Sequence, residues 1–115
     1  MKIELLYFDG CPSWQSGLQN LHSALKANRL DVPVELVKVL DNDDAARRKF
    51  LGSPSFRING VDLWDEERET YSSSCRLYVT PEGVKGSPSV TMLREAIHRV
   101  VAGEDYHSEV VQDIY

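Results

Sequence analysis

Apolar residues in this chain recur with two periods, about two and about 3.6, that take turns along its first half. Residues 2–8 form a short aliphatic and aromatic run that stops at Asp9 and Gly10, the mark of a buried strand. Trp14, Leu18, Leu21 and Leu25 then step by four, three and four, along one face of a helix that runs to about Asn28. Pro12 suits its first turn, where a missing N–H costs nothing. Residues 32–40 predict a second strand, β-branched and largely buried, with Val34, Leu36 and either Val37 or Val39 as its body and Pro33 at its start. A short helix follows from Asp43 to about Leu51. Its acids lie at the start and Arg47, Arg48 and Lys49 near the end, as the helix dipole favours. Gly52 is placed as its C-cap.

The second half begins with Ser53 and Pro54, then a hairpin over residues 55–63 that turns at Asn59 and Gly60. Residues 65–74 read as a long polar loop. Residues 75–80 alternate as an extended segment, residues 81–83 form a turn, and Ser87 and Pro88 start the last helix as N-cap and first helical residue. Leu93, Ile97 and Val100 or Val101 make its core stripe, and Gly103 ends it. The expected fold class is α/β, in the order β-α-β-α-β-β-α. Its central mixed sheet has helices on both faces, and its first two strands are parallel. Residues 1–103 make one domain, and residues 104–115 an acidic and apolar tail.

Composition narrows the function classes without choosing among them. The chain has 115 residues, 42% of them hydrophobic and 27% charged, with a net charge of −5. That is one domain's length, able to bury a core without a disulfide or metal. The acidic balance argues against a nucleic-acid partner. No apolar run is long enough to cross a membrane, and the N-terminal segment does not read as a signal peptide. A reducing, cytoplasmic setting is therefore expected for Cys11 and Cys75. Oligomeric state is left open, a homodimer included.

The segment from Tyr7 to Trp14 delivers a cysteine from a strand onto a helix start. It resembles the active-site corner of thioredoxin-like proteins, and Ser53 with Pro54 resembles their cis-proline loop. Residues 50–54, 59–62 and 74–78 are similar to small bacterial thioredoxin-like proteins, some labelled alkylmercury-lyase-like. The resemblance implies a thioredoxin-like fold, a functional thiol at Cys11 and a substrate surface that includes Pro12, Trp14, Ser53 and Pro54. One departure stands out: Trp14 occupies the position where a Cys-x-x-Cys motif has its second, resolving cysteine.

Cys11 at a helix start is expected to be a stabilised thiolate, the nucleophilic and soft-metal-binding form. Asp9 lies two residues away. Cys75 is the other thiol in the chain, within reach if the loop before it folds back. Arg76 reads either as a surface charge or as a partner for a thiolate or an anionic substrate. His22, His98 and His107 lack zinc-ligand spacing, and no cofactor is called for. Three functions fit: thiol-disulfide or peroxide redox chemistry, with Cys11 attacking and Cys75 or an external thiol resolving; soft-metal or organomercury binding by both thiols; and a non-catalytic interaction module. The first asks least of the sequence. Its partner would be a thiol or disulfide substrate, or a partner protein.

Overall fold

In the computed structural model, residues 1–113 are described, with side chains for residues 1–102. Nine elements follow one another: β1 (Ile3–Tyr7), α1 (Trp14–Ala27), β2 (Val34–Lys38), α2 (Asn42–Arg48), β3 (Ser55–Ile58), β4 (Val61–Asp62), β5 (Tyr78–Thr80), β6 (Gly83–Lys85) and α3 (Val90–Asp113). The protein is a small α/β domain. Its main sheet has the order β2-β1-β3-β4 and is mixed: β1 pairs with β2 in parallel and with β3 antiparallel.

Strand alternation sends β1 side chains to two cores. Ile3 and Leu5 pack with Leu21, Ala24 and Leu25 of α1, with Phe56 and Ile58 of β3, and with Leu93 and Ile97 of α3. Leu6 points the other way, to Val39, Ala45 and Phe50 around α2. Helices thus cover both faces, as the pattern implied. The Asn59–Gly60 turn also forms where expected. Asn59 has φ 52° and Gly60 φ 86°, the left-handed pair that a two-residue hairpin turn demands.

Several elements differ from the sequence reading. β2 is an edge strand and half exposed rather than largely buried, with Leu36 48% accessible; the buried valine is Val39, just past its end. α2 stops at Arg48, because Lys49 adopts the left-handed conformation and closes the helix. Gly52 is therefore no helix cap. It has φ 115°, and a Cβ there would sit 2.7 Å from Cβ of Arg76. At the last helix, the Ser89 hydroxyl accepts the amide of Met92, so Ser89 rather than Ser87 caps α3. That helix continues through Gly103 to Asp113. The tail side chains lie outside the described residues. β6, which turns back onto β5 as a second small hairpin, has no counterpart in the sequence reading.

Three buried charges, Asp44, Asp62 and Arg76, hold the loops. Asp41 caps α2, its side chain accepting the Asp44 amide, and the Asp44 carboxylate reaches back to accept the Leu40 amide and contacts Arg47 and Arg48. The Leu40 amide first, and then the two arginines, hold that carboxyl below its ordinary range. Arg76 ties the segment before β5 to the main sheet. One of its nitrogens lies 3.1 and 2.9 Å from the two carboxylate oxygens of Asp62 in β4 and also donates to the Ser55 hydroxyl, while the other donates to the Trp64 carbonyl. Both members of this ion pair are buried. Removing one leaves the other uncompensated in a low dielectric, which costs about 3–5 kcal/mol. Asp62→Ala is therefore expected to lose about that much stability in chemical denaturation. An Asp62→Leu, Arg76→Met double variant is expected to recover most of it.

Candidate functional site

The Cys11 thiol and the segment that holds Cys75 meet at Ser53. The chain leaves β1 at Tyr7 and turns at Phe8, whose carbonyl accepts the Cys11 amide at 3.2 Å. That turn drops the Cys11 side chain inward, where it is 2% exposed. Its Sγ–H donates to the Ser53 carbonyl at 3.3 Å. From the other side, the segment that holds Cys75 pairs with Ser53 as a parallel β-bridge. The Ser53 amide donates to the Ser74 carbonyl at 2.8 Å, and the Arg76 amide donates to the Ser53 carbonyl at 3.0 Å. One carbonyl thus takes the Cys11 thiol and the Arg76 amide together, using both its lone pairs. The Ser53 hydroxyl in turn accepts the Phe8 amide.

Cys11 and Cys75 are both free thiols, the first buried and the second exposed. The Cys11 sulfur acts on Cys75. Partial desolvation first, and then hydrogen bonding and charge repulsion from the Cys11 sulfur, hold the Cys75 thiol above its ordinary value. The loop before Cys75 is anchored, with the Ser73 amide and hydroxyl on Asn42 Oδ1 at 3.0 and 3.1 Å.

The remaining residues singled out from the sequence divide into two groups. Ser53 and Pro54 sit at the thiols: both are buried, and the bond between them is cis. The Tyr78 hydroxyl donates to the Pro54 carbonyl at 2.5 Å, and burial keeps that phenol well above its usual range and so neutral. Pro12 is exposed just after Cys11, and Trp14 is half-buried, its ring stacked on Tyr7 at 4.1 Å between centroids. Cys11 lies three residues before the first residue of α1, and its sulfur is engaged by a carbonyl rather than set into the helix as the sequence implied. Arg76 is neither a surface charge nor an anion site. Its guanidinium is spent on Asp62, Ser55 and Trp64, and it also lies 5.2 Å from the Tyr78 ring centroid. Asp9 pairs with Lys38 at 2.6 Å.

Sequence reasoning missed Ser53 as the hub, Asp62 as the partner of Arg76, and Tyr78 as the donor beneath Pro54. An acid in a two-residue strand carries no motif, and a main-chain bridge leaves no trace in residue types. One signal was present: Arg76 and Tyr78 alternate with Cys75 and Leu77, so the first pair must face inward once the second faces out.

Because the Cys11 sulfur contributes to the upward shift at Cys75, its removal has a definite sign. In the wild type, the alkylation rate of Cys75 is expected to reach half its maximum above the ordinary thiol midpoint. In Cys11→Ser the midpoint moves down, though not fully, since desolvation persists. Mass-spectrometric alkylation rates across pH measure both.

No helix among the described residues is long and apolar enough to cross a membrane. No protein-family model matches the chain, and comparison with curated proteins and with solved structures returned no match.

Proposed function

We propose that this is a thioredoxin-like thiol protein that exchanges disulfides through Cys11 and Cys75. The single observation that carries the proposal is the convergence of the Cys11 thiol and the Cys75 main chain on Ser53, in a frame held by main-chain hydrogen bonds. A dithiol needs two sulfurs close enough to bond and a scaffold that keeps them there. The missing second cysteine of a Cys-x-x-Cys motif is supplied from elsewhere in the chain. The thioredoxin-like reading of the fold draws support from the order β1-α1-β2-α2-β3-β4, followed by the β5–β6 hairpin and then α3, from the mixed sheet, and from a cis Ser53–Pro54 bond beside Cys11.

The chemistry balances as two exchanges. One protein thiolate attacks a substrate disulfide, forming a mixed disulfide and releasing the first substrate thiol. The second protein thiolate attacks the mixed disulfide, forming Cys11–Cys75 and releasing the second thiol. Two electrons pass from the protein dithiol to the substrate, and the two protein protons end on the two product thiols. A low-molecular-weight thiol of the glutathione class then reduces the protein disulfide for another turn.

Soft-metal binding uses the same sulfurs. Among the described residues no three His, Cys, Asp or Glu side chains form a cluster that would hold a metal ion, so that reading rests on two thiolates alone. Asp9, the acid that carbon–mercury cleavage would call on, is paired with Lys38.

Oxidation with a disulfide reagent or dilute peroxide separates the readings. The wild type is expected to lose two hydrogens, mask both thiols from alkylation and return fully on reduction. Cys11→Ser and Cys75→Ser are expected to form no internal bridge. Two thiols that stay alkylatable would point to an interaction module. One retained Hg(II) per chain, without a disulfide under oxidant, would point to metal handling.

A further inference from the structure

The two thiols are unequal in access, and the surface around the outer one is apolar. Cys11 is 2% exposed, with its sulfur turned to the Ser53 carbonyl, whereas Cys75 is open to solvent. From Cys75 the chain alternates strictly. Arg76, Tyr78 and Thr80 are buried, while Leu77 and Val79 are 71% and 80% exposed on the side that Cys75 shares. Val84, 62% exposed, is the cross-strand partner of Val79 on β6. Large aliphatic side chains this open, set in a row behind a reactive group, form a contact surface rather than scattered surface residues.

Resting on the dithiol reading, we propose that Cys75 is the thiol that meets the substrate. Cys11 is the resolving thiol behind it. The row Leu77, Val79 and Val84 receives the apolar residues that flank a disulfide in an extended polypeptide substrate. An extended segment places alternate side chains on one side at the spacing of Leu77 and Val79, with Val84 beside Val79 across the hairpin. The order of steps follows from access. A polypeptide disulfide reaches the Cys75 sulfur and forms the mixed disulfide there, releasing one substrate thiol. The Cys11 thiol beside it gives up its proton to the first departing thiolate, attacks the Cys75 sulfur and releases the other. This reverses the order expected from the sequence, where Cys11 attacks first. The uncharged row also favours apolar flanks over a small charged disulfide such as oxidised glutathione.

Trapping tests both parts. Cys11→Ser, whose hydroxyl keeps a donor for the Ser53 carbonyl, and Cys11→Ala are each mixed with a peptide disulfide flanked by Leu and Val. Both are expected to accumulate a mixed disulfide on Cys75, while Cys75→Ser traps none while folded. Trapping on Cys11 in Cys75→Ser, with none in the Cys11 variants, would overturn the order yet leave the dithiol reading intact if the wild type still forms its internal disulfide. A wild type that forms none would remove the dithiol reading itself. In the Cys11→Ser background, Leu77→Gln with Val79→Thr is expected to slow trapping of the apolar peptide about ten-fold. The rate with oxidised glutathione should hold. Equal slowing of both probes, or of neither, would overturn the substrate assignment.

Discussion

The main chain of Ser53 is the constraint on which the site depends. Its amide reaches Ser74, and its carbonyl takes both the Arg76 amide and the Cys11 thiol. Three pieces of chain far apart in sequence are joined at this one residue: the turn after β1, the strand entry before β3, and the segment that leads to β5. A buried carbonyl must be satisfied. The donors that satisfy this one bring a cysteine in from one side and hold another on the other. The geometry of the thiols is thus a consequence of main-chain pairing rather than of a local motif.

Around that residue the protein spends its buried polar groups on rigidity. Arg76 locks the Cys75 segment to β4 through Asp62 and to the chain beyond through Trp64. Tyr78 fastens the same segment to the Pro54 carbonyl from below. The close approach of Gly52 to Arg76 leaves no room for a side chain. Among the described residues, no buried side-chain polar atom is left without a partner. A site of this kind keeps its outer thiol at a fixed place on an exposed bridge segment and its inner thiol in the core.

Much of the architecture was legible in the sequence because it follows from periodicity. The 3.6-residue stripe of Trp14, Leu18, Leu21 and Leu25, the run of residues 2–8 and the Asn59–Gly60 turn each specify an element by local physics. The misplacements came where tertiary contacts override local signals. Lys49 takes the left-handed position that a glycine would ordinarily hold, and β2 lies at an edge, where burial falls away. The site was half legible. Cys11, Ser53 and Pro54 stood out by their order along the chain, and Cys75 as the other thiol. The use of Arg76 was not, because its partner Asp62 sits in a strand too short to signal itself, and the sharing of the Ser53 carbonyl is written in no residue type.

The central claim is that Cys11 and Cys75 form one redox unit on an unchanging frame. The most direct measurement is the pair of cysteine Cβ chemical shifts, followed by NMR through a graded thiol–disulfide buffer series, together with the exchange rate of the Arg76 amide. Both Cβ signals are predicted to shift together with a single midpoint while the Arg76 amide stays protected at both ends. Oxidation of one cysteine alone, or an Arg76 amide that exchanges freely once the disulfide forms, would contradict it.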